Sequence, residues 1–301
     1  MKSRCVELKR ARPLLGTIVE ITLFEVETQR SAEAFEDAFA AISHVQRQMS
    51  FHDSGSTLSR INAEAFTRPV PTDDGTFRVL QMANLLFSAS NGVFDPTIAP
   101  HLESAGFLPK SYRKDPPKKA SFADVELLPQ KRVRFRQPGI RLDLGGIAKG
   151  FAVDQAVSAL RKNGIEHGLV NAGGDLRAFG SRPFNVGIRD PHRAGLVFTS
   201  FRIKNIALAT SAHYFADRFK PRAAVGPFID PKLGRFRGEL ASVSVAAETA
   251  LVADALTKIV MLEPKNSLPL LQRFAADSLI YTTKGAIFST STWNERLQVA
   301  A

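Results

Sequence analysis

A single cysteine, Cys5, stands among 301 residues. One thiol excludes an intrachain disulfide and a cysteine-built metal cluster. No apolar run approaches the about 20 residues that a membrane-spanning helix needs, so no membrane span is expected. The segment Met1 to Arg10 is charged throughout and has no apolar centre, so the chain as given shows no secretory signal. Cytoplasmic residence is the expectation, with the periplasm only if an export signal has been removed. Two nucleotide-binding signatures are also missing. The order Gly145-Gly146-Ile147-Ala148-Lys149-Gly150 fails the spacing of G-x-G-x-x-G, and no G-K-[ST] closes it as a P-loop. Internal repeats and low-complexity tracts are absent.

The composition that remains is that of a globular protein, with 44% hydrophobic and 23% charged residues. The length suits one domain over residues 1–301, with room for two lobes about a basic, proline-containing loop near 110–119. The net charge is +11 and the isoelectric point about 10.0. A basic balance fits nucleic acid, an anionic membrane or an anionic substrate. The cluster Lys131 to Arg136 alternates with Val133 and Phe135, which reads as the solvated face of a strand, and the cluster Lys110 to Lys119 surrounds Pro116 and Pro117. No helix-turn-helix, zinc-finger or RNA-binding pattern accompanies them, so no nucleic-acid partner is expected.

The most informative stretch runs from Arg141 to Asp154. Arg141 to Leu144 alternates polar and apolar and predicts a strand; Gly145 and Gly146 break the period; from Ile147 the residues Phe151, Ala152, Ala156 and Leu160 recur at helical spacing. Strand, double glycine and helix together leave backbone N–H groups at a helix start and let a ligand come close to the backbone. Lys149 puts a cation in the first turn, where the helix dipole opposes it, which points to an anionic ligand such as a phosphate. A tight turn carrying a surface lysine accounts for the same pattern. A second double glycine, in Asn171-Ala172-Gly173-Gly174-Asp175, follows the next strand.

Elsewhere the periodicity predicts a strand over 17–24, a long amphipathic helix over 28–49, a helix over 76–90 ended by Asn91-Gly92, and strands near 125–128 and 133–136. Three further strands, 184–188, 197–203 and 206–209, read as a meander, followed by a polar turn, Thr210 to Tyr214. A strand over 241–245, a helix over 248–261 and two closing strands complete the chain. Asp53 or Ser56 is placed to cap a short helix, and Asp95, before Pro96, to form an Asx turn. Asp254 and Lys258, four apart, fit a surface ion pair. Strands in runs with helices on their flanks indicate an α+β layer.

Taken in order, the turns resemble the FAD:protein FMN transferase (ApbE) family. The carriers are Leu15-Gly16-Thr17; Met49-Ser50 with Ser56, Leu58, Ser59 and Asn62; Gly92 to Thr97; Asp143 to Gly150 with Asp154; Asn171 to Asp175; Ala209-Thr210-Ser211; Ile229-Asp230-Pro231; and Ala253 to Leu256. Each piece is short, and their order makes the set specific. The resemblance implies an α+β, mixed-sheet flavin-transferase (T-fold-like) architecture. It implies cleavage of FAD, attachment of FMN through its phosphate to a threonine of a client protein, a redox protein, and release of AMP. It implies catalytic roles for Asp254, Lys149, Asp230 and Lys258. The FAD site it implies is lined by Met49, Ser50, Asp95, Asp143, Gly145, Gly146, Lys149, Asn171, Gly173, Gly174, Asp175 and Ser211. Mg2+ is implied at Ala148, Asp254 and Thr257.

The chain also departs from the family pattern. Pro227 stands near the place of a usual histidine, Leu233 precedes Gly234 in place of threonine, and Ala212-His213 follows Ser211. Lys258 stands where the family has a metal-binding threonine, with Thr257 one residue early. A lysine there pairs with Asp254 in place of the metal or meets phosphate directly. These departures set a flavin-binding carrier or regulator beside the transferase as the alternative. Ser54-Gly55-Ser56-Thr57 resembles an acceptor site for FMN, although it falls inside the family's own serine-rich loop.

Overall fold

The computed structural model describes residues 7–24, 28–110, 120–193, 195–213 and 228–299. Along the chain run β1 (Glu7–Leu14), β2 (Thr17–Phe24), α1 (Thr28–Met49), α2 (Thr57–Glu64), β3 (Val70–Pro71), α3 (Asp74–Ala89), α4 (Ala99–Ala105), β4 (Val125–Leu128) and β5 (Arg132–Phe135). Then come α5 (Ala148–Lys162), β6 (Gly168–Ala172), β7 (Asp175–Phe179), β8 (Phe184–Arg189), β9 (Val197–Ile203) and β10 (Ala207–Ala212). The chain closes with β11 (Ile229–Asp230), β12 (Arg235–Phe236), β13 (Leu240–Ala247), α6 (Ala250–Leu262), α7 (Leu268–Arg273), β14 (Asp277–Thr282), β15 (Ile287–Ser289), α8 (Trp293–Arg296) and β16 (Gln298–Val299).

An eight-stranded sheet in the order β1-β2-β6-β7-β10-β13-β14-β15 organises the molecule. The α+β class holds, and the mixture is one of helices with sheet: every pairing in this sheet is antiparallel. One face carries α5 and α6, with α1 packed on α5. The other face carries the smaller sheet β16-β9-β8. Period-2 alternation divides the strands between the two cores. Ala207 and Ala209 face the helices, whereas Leu208 lies with Phe184, Val186, Ile188 and Trp293 on the far side. Residues of β13 are buried along its whole length, as befits a strand covered on both faces. A third sheet, β3-β5-β4, sits with the helices of the segment 57–105.

Most elements lie where the periodicity puts them, and three expectations are corrected. Arg141 to Leu144 forms no strand. Its backbone is held by a side chain instead: the Leu142 N–H donates to Asn62 Oδ1 at 2.7 Å, and Asn62 Nδ2 donates to the Leu142 carbonyl at 2.9 Å. The three strands expected as a meander divide between two sheets. β8 and β9 pair with each other, because the alternation of β8 gives it one apolar face to lay on the main sheet, while β10 returns between β7 and β13. Thr210 to Ala212 belong to β10 and form no turn; the hydroxyls of Thr210 and Ser244 meet at 2.8 Å across paired strands, which satisfies polarity inside the sheet. The charged segment 7–14 is an edge strand, where exposed charge is tolerated and discourages further pairing. Lys9 meets Glu20 of β2 there at 2.7 Å.

Several local readings are met. Ser56 caps α2 by accepting the Ser59 N–H at 2.9 Å. Asp95 forms the Asx turn by accepting the Thr97 N–H at 2.9 Å. Asn91 and Gly92 end α3 in the left-handed region, with φ of 50° and 80°. His213 is half-buried, edge-on to the Phe228 ring at 5.1 Å. Pro227 and nearly all of the basic loop 110–119 lie outside the described residues. Among the described residues no helix is long and apolar enough to cross a membrane.

Candidate active site at the crossing of two helices

Helices α5 and α6 touch at Gly150. A Cβ there would lie 2.1 Å from the Ala250 carbonyl oxygen, so only glycine permits this approach. The contact lets each helix cap the other. Asp154, on α5, accepts the N–H groups of Ala250 at 3.0 Å and Leu251 at 2.9 Å, at the start of α6. Asp254, on α6, accepts the Gly150 N–H at 3.0 Å, in the first turn of α5. Carboxylates at two helix starts satisfy donors that would otherwise be orphaned and complement both dipoles. The anion drawn to the start of α5 is thus a side chain of the protein itself. Arg177, from β7, holds Asp154 at 2.6 Å.

Beside this crossing two lysines and two aspartates form linked ion pairs. Lys149 Nζ donates to Asp175, and Lys258 Nζ donates to Asp254 Oδ1. The first pair joins the two double-glycine turns, which the sequence left apart. Asp254 is fully buried and Asp175 nearly so, which excludes a surface ion pair for Asp254 and Lys258. Burial opposes the Asp254 charge, but Lys258, Lys149 and the Gly150 N–H outweigh it and hold its pKa below the ordinary carboxylate value. Burial likewise opposes the Lys149 charge, and Asp175 with Asp254 overcomes it, so the Lys149 pKa is held well above its ordinary value. Thr257 Oγ1 donates to the Asp254 carbonyl at 2.6 Å, lies 3.1 Å from Lys258 Nζ and meets Ser211 Oγ at 2.7 Å.

Two clefts flank this set. The smaller, about 60 Å³, is walled by Phe94, Asp95, Asp143, Gly146, Phe228 and Lys258 among others. The larger, about 770 Å³, is walled by Leu15-Gly16-Thr17, Asn171, Gly173, Gly174, Arg189 and Thr210 among others. Gly173 and Gly174 turn β6 into β7 with φ of 66° and 105°. Gly146 differs from Gly150. Its φ lies outside the left-handed region, and an added Cβ would find only ordinary contact, 3.5 Å to Lys258 Cγ. The fold therefore does not require glycine at 146, which leaves close approach from the cleft as the physical use of its bare backbone.

The remaining expected residues fall into distinct places. Asp143 is half-buried on the smaller cleft, next to Gly145, whose N–H it accepts at 3.2 Å; burial pushes its carboxyl up. Asp95 shares that cleft, and burial raises it too, but its oxygens accept from Thr97 and from the Phe122 N–H at 3.3 Å. Asp230 holds the β11–β12 hairpin, accepting the Lys232 N–H at 3.0 Å and Arg237 Nη2 at 3.0 Å. Met49 is buried in the helical core, and Ser50 accepts the His52 N–H at 3.2 Å. Asn171 accepts the Gly174 N–H at 2.9 Å. Ala148 opens α5 beside Lys149. Thr57 lies in α2 with 6% of its surface exposed, its hydroxyl donated to Gln48, so it is not presented as an FMN acceptor. The sequence reading missed Arg177 as partner of Asp154 and Arg189 in the wall of the larger cleft. No local pattern marks either, because both arrive from strands distant in sequence.

A family model described as the ApbE family matches residues 15–280. The FAD:protein FMN transferase of Rhodobacter capsulatus is 32% identical over 92% of this chain, which spans 57% of that relative's length. The FAD:protein FMN transferase of Treponema pallidum is 28% identical over 91% of this chain and 83% of its own. Among solved structures, the ApbE protein of Thermotoga maritima gives a TM-score of 0.84 at 27% identity, covering 96% of this chain and 99% of that one. The flavin transferase ApbE of Vibrio cholerae has the same fold, with a TM-score of 0.82 at 21% identity over 97% of this chain and 99% of its own.

Proposed function

The chain belongs to the ApbE family, and from that membership we propose that it is an FAD:protein FMN transferase. It takes FAD as substrate, breaks the pyrophosphate, joins FMN through its phosphate to the hydroxyl of a client threonine and releases AMP. The client is a protein, and a redox protein is the proposal for its class. The observation that carries the reading is the pair of lysines, Lys149 and Lys258, held by the buried carboxylates of Asp175 and Asp254, with Lys258 in the wall of a cleft where Gly146 offers bare backbone. Phosphoryl transfer asks little covalent chemistry of a protein; it asks for positioning and for fixed positive charge at the phosphate oxygens. Two lysines fixed by carboxylates supply that charge without reorganisation.

The chemistry then divides among named groups. Lys149 and Lys258 attract the pyrophosphate, and the backbone at Gly145 and Gly146 admits it closely. Asp143 takes the proton of the attacking threonine hydroxyl: it is a wall carboxylate, and burial raises its affinity for a proton. The threonine oxygen bonds to the FMN phosphorus as the bond to the AMP oxygen breaks, and the AMP phosphate leaves with the pair of electrons.

The magnesium implied by the resemblance does not fit the donors in this structure. Asp254 Oδ1 accepts from Lys258, Oδ2 accepts from the Gly150 N–H, and Thr257 Oγ1 is engaged by Asp254, Lys258 and Ser211. Among the described residues no group of three or more His, Cys, Asp or Glu side chains is gathered to hold a metal ion.

The reading is tested by incubating the purified chain with FAD and a threonine-containing acceptor polypeptide. A fluorescent covalent adduct on the acceptor together with AMP supports transfer. FAD that binds and survives intact, with no adduct either with or without Mg2+, removes the transferase reading and leaves a flavin carrier.

A further inference from the structure

We propose that Lys258 is a built-in cation of this site, holding the place at Asp254 that a divalent metal would take, so that the protein handles FAD without a metal there. The proposal rests on the FMN-transfer reading for its substrate, and on geometry alone for the exclusion of metal.

Asp254 has a negative charge in a place closed to water, with none of its surface exposed. Such a charge needs a partner. Its partner lies one helical turn along α6, where Lys258 delivers Nζ to Oδ1 and to Thr257 Oγ1 at 3.1 Å. The lysine is not sealed in with it. A fifth of its side chain, 20%, remains exposed, and it walls the cleft that also holds Asp143 and Gly146. Its aliphatic stem runs over Gly146, where an added Cβ would stand 3.5 Å from Cγ and 3.7 Å from Cε. One amine therefore balances Asp254 and faces the cleft.

A hard divalent ion is a poor competitor for this place. It takes about six oxygen ligands, and the carboxylate oxygens of Asp254 and the hydroxyls of Thr257 and Ser211 are already hydrogen-bonded to nitrogen, to a carbonyl or to each other. Charge counts against it as well. Lys149 and Lys258 balance Asp175 and Asp254 among themselves, and Lys149 also acts on Asp254 across the set. A doubly charged ion on Asp254 would face two amines in a poorly screened interior. A lysine amine is a point charge with rotatable donors, suited to phosphate oxygens when FAD arrives.

The test uses the full chain, stripped with EDTA and desalted. Mn2+ is titrated in the presence of FAD and read by the EPR signal of the free ion. The wild type is expected to leave Mn2+ free, and Lys258→Met, which strips the amine from Asp254, is expected to take up a stoichiometric ion that Asp254→Asn in the same chain abolishes. Stoichiometric Mn2+ bound by the wild type and lost in Asp254→Asn would overturn the proposal. In parallel, FMN transfer to the acceptor polypeptide is compared in EDTA and in Mg2+. Equal transfer by the wild type in both, with loss in Lys258→Met and retention in Lys258→Arg in EDTA, supports it. Wild-type transfer that stops in EDTA and returns with Mg2+ overturns it while leaving the transferase reading intact. Absence of transfer in both conditions defeats the transferase reading alone, since the Mn2+ titration still decides the place of Lys258. The wild-type measurements decide the matter even if Lys258→Met does not fold.

Discussion

Asp154 and Asp254 cap each other's helices. Asp154 accepts the first N–H groups of α6 while Asp254, a residue of α6, accepts the Gly150 N–H in the first turn of α5. The exchange locks the two helices at a fixed crossing, and it sets Asp254, Lys258 and Lys149 at one point. Geometry at the cleft therefore depends on a residue, Asp154, that does not face it.

Replacing Asp154 by Asn should show this dependence as stability. The variant keeps the shape but leaves the largely buried Arg177 side chain, 16% exposed, without its counter-charge and gives up one of the two accepted N–H groups. Loss of one partner from a buried pair costs about 3 kcal/mol. Urea unfolding should show the midpoint falling with an unchanged slope. Adding Arg177→Met should recover part of the loss, because the unpaired charge goes with it.

Asp143 gives a prediction in pH. Burial raises its carboxyl above the ordinary value, against the Gly145 N–H and His52. The folded protein thus binds that proton more tightly than the unfolded chain does. Its contribution to stability is complete below the ordinary carboxylate pKa and is lost as pH rises through the folded value. Asp143→Asn has nothing to lose over that interval. Urea unfolding across an acid-to-neutral series should find the wild type losing ground to the variant as pH rises. At neutral pH the same variant should transfer FMN more slowly by about 10²- to 10⁴-fold, the usual worth of a proton-accepting group. A variant with unchanged kcat would remove Asp143 from the proton-accepting role.

Asn62 tests how the cleft loop is held. Its amide satisfies both backbone groups of Leu142, next to Asp143. Asn62→Ala leaves two backbone groups unpaired, at a cost of about 2 kcal/mol. Urea unfolding should register that loss, and titration of FAD fluorescence should show weaker binding, because the segment that positions Asp143 loses its anchor. Unchanged affinity would separate the loop from the FAD site.

The long elements were legible in the sequence because each is specified by its own period. Helix α1 spans Thr28–Met49 as its apolar stripe predicts, and the alternation of Thr17–Phe24 and Val197–Ile203 marks two strands to the residue. Where the reading failed, the information lay elsewhere in the chain. Arg141 to Leu144 has the pattern of a strand, but Asn62 reaches its backbone first. Thr210 and Ser211 have the composition of a turn, but Ser244 and Thr257 lie opposite to take up their hydroxyls.

The sequence by itself determined most of the elements, both double-glycine turns, the N-cap at Ser56 and the Asx turn at Asp95, since each rests on a period or on bonds made within a few residues. The ordered motifs also carried the family. Tertiary structure alone decided what the charged residues do. Asp254 and Lys258 look from their spacing like an exposed helix pair, and only the approach of α5 at Gly150 buries the carboxylate and makes the lysine its required partner. Asp175 and Lys149 are 26 residues apart in the chain and meet because the turn from β6 brings Asp175, the first residue of β7, to the start of α5. A charge takes its meaning from burial and from its neighbours, and both are properties of the folded chain.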